Sequence, residues 1–354
     1  MMFTELAKAG GSEVLADYSL GPVQSWRPLH GGMFLTPILL VTASGKYVLR
    51  GHRFRSSERC FRFQAETLDY LAERGFRCPR VIRDRLGRFG QNRESTFWAV
   101  HEYLEGHLYN WQDWHAAKSG HSFLEDVGFQ VARIHDALVI ANPTGDGTLS
   151  PALPPIQFRC LGAIRQQWDY DLECIESLPF KSVQVLLGSR HKIQEHWDWL
   201  TQQVSDLAMN RLPHQLVHGD VSPVNMIFSP SGNSLALIDW DCLHRGLRLY
   251  DALGDVLNRP PVELAEVASF DIDEIKTYLN GYQRGTAKRL ERAELLCVPT
   301  FCLARQLEDL RQRVRVIPQL TPEQDSKFEV LIRGRIRIMS EIRSFAEEGF
   351  LWAA

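Results

Sequence analysis

The chain has 354 residues, 44% of them hydrophobic, and 40 Lys and Arg against 43 Asp and Glu give a net charge of −3. That length buries a core without disulfides or a structural metal and suggests about two lobes. The balanced charge argues against a nucleic-acid partner, and 18 Phe, 9 Trp and 9 Tyr exclude a disordered chain.

Cys60, Cys78, Cys160, Cys174, Cys242, Cys297 and Cys302 are scattered, with no C-x-x-C pair. This fits reduced thiols in a cytoplasmic protein rather than a disulfide framework or a zinc site. Glu5, Lys8, Glu13 and Asp17 interrupt the N-terminal apolar residues, so no signal peptide is expected. No run approaches the roughly 18 apolar residues of a membrane span.

In chain order, residues 3–18 predict a short amphipathic helix and residues 26–50 predict strands, with a hairpin at Ser44-Gly45. Phe61, Leu68 and Leu71 predict a helix over 57–74, capped by Ser57 and stopped by Gly75. Residues 79–82 and 96–100 read as two further strands, followed by a connector at His101–Gly106. Beyond it, Phe123, Val127, Val131, Ile134 and Leu138 predict a helix, and residues 141–155 a Pro/Gly-rich loop. Residues 157–207 carry two helical patterns, 215–241 two strand-like pieces, and 262 onward helices. The expected organisation is a strand-rich lobe at 1–101, a hinge at 102–106 and a helical lobe at 107–354.

The chemistry concentrates in His218-Gly219-Asp220, with Asn225 five residues after Asp220 and Ile238-Asp239-Trp240-Asp241 further on. Kinase catalytic loops place H-x-D and Asn at this spacing, with a later metal-binding Asp. Phosphoryl transfer needs one carboxylate at the attacking hydroxyl and oxygen ligands for Mg²⁺. A loop of four intervening residues lets Asp220 and Asn225 face one space, and a strand ending in Asp239 brings a second metal ligand to the same edge.

These residues resemble the aminoglycoside phosphotransferase and choline kinase-like family, which includes the type II homoserine kinases. Gly246, Asp251-Ala252-Leu253, Tyr47-Val48-Leu49-Arg50, Glu102–Gly106 and Ala132-Arg133-Ile134-His135 extend the resemblance over about residues 28–260. It implies a bilobal, protein-kinase-like α+β fold with a small antiparallel N-lobe sheet and a mostly helical C-lobe. It further implies ATP-dependent phosphorylation of a small hydroxyl compound. Asp220 would be the catalytic base, and Asn225 and Asp239 the Mg²⁺ ligands. Arg50 would hold phosphates, supported by Glu66, and the backbone of Glu102 to Leu104 would take adenine. Gly31 and Gly32 would cover the phosphates.

Leu35 and Ile38 stand where the family's glycine loop carries Asn and an aromatic. That departure supports an alternative, a catalytically silent nucleotide-binding regulator. No activation segment or A-P-E follows Asp239, which disfavours a peptide acceptor. Asp241 and Trp240 are further candidates for the metal surroundings or the acceptor. Asp251 is expected to brace the catalytic loop. Trp168-Asp169-Tyr170-Asp171 reads as an amphipathic helix face or a lining for a cationic amine. Arg305, Arg311, Arg313 and Arg315, with Arg333, Arg335 and Arg337, read as a solvated face or an anion site. The acceptor's charge and the oligomeric state stay open.

Overall fold

The computed structural model describes residues 11–29, 36–52, 58–93, 96–118, 121–144, 158–207, 209–232, 234–254 and 270–348. The short helix α1 (Gly11–Leu15) precedes β1 (Val23–Pro28), β2 (Ile38–Thr42) and β3 (Gly45–His52). Helix α2 (Glu58–Glu73) follows, then β4 (Val81–Ile82), β5 (Gln91–Arg93) and β6 (Thr96–Glu102). These strands form one antiparallel sheet in the order β1-β2-β3-β6-β4, with β5 also on β6.

The hairpin falls where Thr42 pairs Gly45, and the Thr42 hydroxyl accepts from the Ser44 amide at 3.2 Å. Alternation along β6 divides its side chains between two cores. Phe97 and Ala99 join Phe61 and Leu68 of α2, whereas Trp98 and Val100 join Val14, Tyr18, Leu40 and Leu49. Because Leu49 faces the second core, Arg50 and His52 on β3 point to the opposite face.

The chain leaves this sheet at Glu102 and enters another at β7 (His107–Leu108), which pairs β9 (Met226–Phe228). Gly106 makes that crossing, since a Cβ there would stand 2.1 Å from the Phe228 carbonyl oxygen. Between them lie α3 (Trp111–Lys118), α4 (His121–Val139), α5 (Leu161–Ile175), α6 (Lys181–Gly188), α7 (Arg190–Asp206) and β8 (His214–Val217). Then come β10 (Leu235–Leu237) on β9, β11 (His244–Leu247) on β8, and α8 (Arg248–Leu253). Helices α9 (Ile272–Gly285), α10 (Arg292–Leu296), α11 (Val298–Val316) and α12 (Pro322–Glu347) finish the described chain.

Two helical patterns expected over 157–207 are three helices, because Leu178-Pro179 and Ser189 break the run. The two strand-like pieces of 215–241 are likewise three strands, separated by the catalytic loop and a turn. Helices α4 and α9 meet backbone to backbone: a Cβ on Gly281 would lie 1.9 Å from the Glu125 carbonyl oxygen. Helix α12 starts at a capping box, in which Thr321 and Gln324 satisfy each other's amides at 3.3 and 2.8 Å. No described helix is long and apolar enough to cross a membrane.

Candidate active site

Strand β8 delivers His218 into the interior, where it is fully buried. The Asp220 amide donates to its Nδ1 at 3.2 Å, so Nε2 carries the proton and donates to the Ile238 carbonyl at 2.9 Å. Burial lowers its pKa and keeps the ring neutral. Histidine here is a two-ended strut between the catalytic loop and the strand end that carries Asp239.

Gly219 follows at φ +87, and a Cβ there would stand 2.2 Å from the Cys242 carbonyl oxygen. Only glycine fits both demands. Asp251 of α8 fixes the turn from below, as expected. Its carboxylate accepts the amides of His218 and Gly219 at 2.8 Å each, and His135 Nε2 lies 3.1 Å away.

A 3-10 turn at Pro223–Asn225 then brings Asn225 back to Asp220. Its Nδ2 donates to the Asp220 carboxylate at 2.8 Å and to the Asp220 carbonyl at 3.1 Å. The Asn225 carbonyl accepts from the Ile238 amide at 2.9 Å, which places Asp239 on the same edge. Asp239 adopts φ 61 and ψ 58. Among the described residues it is the one non-glycine at positive φ, a conformation that Asp tolerates better than most and that clusters at functional sites.

Arg50 reaches across from the first sheet. It donates to Asp239 at 2.5 Å and to Asp241 at 3.2 Å. Burial would lower its pKa, but the two carboxylates outweigh it and raise the value. Asp241 also lies 2.8 Å from His52 Nδ1, and His52 Nε2 lies 3.2 Å from His101 Nε2. His101 donates from Nδ1 to the Pro79 carbonyl, and burial with the adjacent His52 pushes its pKa down to about 3.

The expected pairing of Glu66 with Arg50 is not formed in this structure. The Glu66 carboxylate instead accepts the Thr144 amide at 2.7 Å and the Thr144 hydroxyl at 2.9 Å. Asp241 takes that bracing role instead. Trp240 is buried. Its Nε1 donates to the Leu237 carbonyl at 2.8 Å, and its ring packs on His218 with centroids 4.6 Å apart. Gly31 and Gly32 lie outside the described residues.

At the hinge, the Glu102 amide bonds the Arg80 carbonyl at 2.8 Å and the Tyr103 amide the Lys46 carbonyl at 3.2 Å. Among the described residues, the Leu104 amide has no hydrogen-bond partner. Arg77, not singled out in the sequence, clamps this segment by donating to the Glu105 carbonyl at 2.5 Å. His52 was also missed, although its position two residues after Arg50 on one strand puts both on one face.

The arginine-rich helices are only partly a solvated face. Arg333 and Arg337 are exposed and pair with Glu329 and Glu341. Arg305, Arg311 and Arg335 are buried. Arg335 pairs Asp309 at 3.0 Å and donates to Gln306 at 2.7 Å. Trp168 is core, and Asp171 binds Arg315 at 2.7 Å, so this helix face lines no amine site through those groups. A cavity of about 690 Å³ lined by Lys192, Ile336, Arg337 and Glu341 contains none of the residues expected to act in catalysis.

Comparison with known proteins agrees with this geometry. Homoserine kinase of Afipia carboxidovorans is 24% identical over 317 residues, covering 88% of this chain and 86% of the relative. Amicoumacin kinase, solved with AMP-PNP and Ca²⁺, has a TM-score of 0.63 at 15% identity, covering 96% of this chain and 94% of that one. An aminoglycoside phosphotransferase from Alicyclobacillus acidocaldarius has a TM-score of 0.62 at 14% identity, covering 95% and 96%. The phosphotransferase enzyme family matches residues 25–294. With its catalytic loop, its Asn and its strand-end Asp assembled on one edge, the chain belongs to the phosphotransferase enzyme family, and its activity is ATP-dependent phosphorylation of a small molecule.

Proposed function

We propose that Asp220 orients the acceptor hydroxyl and takes its proton as the γ-phosphoryl group of ATP is transferred. The Asn225 Nδ2 bond to the Asp220 carboxylate supports this role, since it fixes one carboxylate oxygen and its direction. Asn225 spends its amino group on that bond and retains Oδ1 as an acceptor. Oδ1 and the Asp239 carboxylate form an oxygen-donor pair suited to Mg²⁺, which commonly takes only one or two protein ligands beside phosphate and water. When bound, the ion would neutralise charge on the β- and γ-phosphates. Arg50 would contribute fixed positive charge to the same phosphates. The Leu104 amide would donate to the adenine ring.

The observation that carries this reading is the position of Asn225, whose side chain holds Asp220 and whose carbonyl holds the residue before Asp239. ADP release with Mg-ATP over a panel of aminoglycosides, choline, homoserine and sugars tests it. An acceptor-dependent rate that disappears in Asp220→Asn is expected. An undiminished rate in that variant would sink the mechanism.

A further inference from the structure

Two buried histidines back the contact between Arg50 and Asp241, and the directions of their hydrogen bonds fix where the protons sit. His101 Nδ1 lies 3.1 Å from the Pro79 carbonyl, which can only accept, so Nδ1 carries a proton. Burial and the adjacent His52 keep His101 from taking a second one. Its Nε2 is therefore an acceptor, and the proton in the 3.2 Å contact between the two Nε2 atoms belongs to His52. That leaves His52 Nδ1, which lies 2.8 Å from Asp241 Oδ1. A bare Nδ1 there would set a lone pair against a carboxylate oxygen. A second proton on His52 removes that repulsion and makes the contact a charge-assisted hydrogen bond.

The surroundings agree with a cation at His52. Asp241 serves as a carboxylate on both oxygens, since Arg50 donates to its Oδ2 at 3.2 Å. His52 is fully buried, and a buried cation persists beside a matched anion, which Asp241 supplies. Helix α2 presents the Phe61 ring to it, with centroids 4.6 Å apart. Arg50 and His52, on one face of β3, thus stand against Asp239 and Asp241, two cations for two carboxylates.

We infer that His52 is doubly protonated at neutral pH and is a positioning residue for the nucleotide: it neutralises and holds Asp241, so that Arg50 can turn from that carboxylate to the phosphates. This rests on the reading of Arg50 as a phosphate-binding group and adds the residue that frees it. Without the charge on His52, Asp241 would hold Arg50 more tightly and compete with the phosphates for it.

The charge is tested by a long-range ¹H–¹⁵N NMR spectrum of the full chain at about pH 8, where an ordinary histidine is neutral. The Phe61 ring contact assigns His52 without a variant. Two protonated ring nitrogens on His52 and one on His101 are expected. A single proton on His52 would overturn the inference.

The role is tested by calorimetric titration with AMP-PNP and Mg²⁺. His52→Asn keeps a neutral N–H donor in place of Nδ1 and should bind about tenfold more weakly. Adding Asp241→Asn should bring binding back to within about threefold of wild type, because an amide does not compete for Arg50. A histidine that merely fills the core would not be rescued by loss of its partner. Unchanged binding in His52→Asn, or a double variant as weak as the single one, would therefore overturn the inference and leave the phosphotransferase reading intact. If His52→Asn does not fold, His52→Gln takes its place. Wild-type protein that bound no AMP-PNP would overturn the reading of Arg50 as well.

Discussion

Arg50 on the first sheet and Asp239 at the end of the catalytic strand are bonded at 2.5 Å, across 189 residues of chain. The cation suited to the phosphates thus rests on the carboxylate suited to the metal. Nucleotide binding would exchange partners: phosphate for Arg50, metal ion for Asp239. Arg50→Met and Asp239→Ala should each weaken Mg-nucleotide binding by roughly ten- to a hundredfold. A calorimetric titration of the two variants with the non-hydrolysable analogue AMP-PNP measures this. Wild-type affinity in Arg50→Met would reduce the pair to a structural tie.

Asp220 differs from these two because it contacts no phosphate in the proposed mechanism. Asp220→Asn preserves the volume of the side chain and its contact with Asn225. Nucleotide affinity should stay within about threefold of wild type, while kcat should fall by about a thousandfold, the range of a lost general base. A coupled ADP assay with saturating acceptor separates the two quantities.

Glu66 gives a contrasting expectation. Its carboxylate is spent on Thr144 and does not touch Arg50. Glu66→Gln should therefore change kcat and nucleotide affinity by less than about threefold, the scale of a half-exposed neutral-to-charged hydrogen bond. A loss of more than tenfold in either would show that the carboxylate swings to Arg50 once nucleotide is bound.

The contrast between Glu66 and Asp241 shows what was legible in the chain. Asp220, Asn225 and Asp239 could be found because a loop and a strand end convert sequence spacing directly into proximity. Asp251 was found as a brace because it follows them closely. Glu66 meets Thr144 rather than Arg50 because a residue's position on a helix says nothing of which way that helix is turned. Arg50 meets Asp241 through tertiary docking of two sheets, which no local period encodes. Arg305, Arg311 and Arg335 looked like a solvated face because charge is usually exposed. The burial of Arg305 depends on Glu308 of the same helix and Tyr250 of α8, and that of Arg335 on Asp309 of α11.

Gly219 tests the backbone geometry behind the catalytic loop. Gly219→Ala would put a methyl group 2.2 Å from the Cys242 carbonyl and force a side chain to φ +87. The cost should exceed about 2 kcal/mol, from strain and the displaced neighbour together. Urea unfolding measures it. Activity should fall further than stability alone explains, because relief of the clash moves Asp220.

Asp251 makes stability depend on acid. Burial by itself would raise its pKa, but the hydrogen bond and charge of His135, with His218 and Arg305, lower it from 3.8 to about 2. The two backbone amides it accepts act in the same direction. A carboxylate whose folded pKa lies below its unfolded value stabilises the fold above the unfolded pKa. That contribution is lost as pH falls through the folded one. The window therefore runs from about pH 4 down to about pH 2, with on the order of 2 kcal/mol at stake. Urea unfolding across that range should show a steep loss in the wild type. In Asp251→Asn the protein should already be weakened at pH 7, because the buried amides of His218 and Gly219 lose a charged acceptor, and its further loss below pH 4 should be smaller. Parallel curves for the two proteins would mean that other carboxylates govern the acid transition.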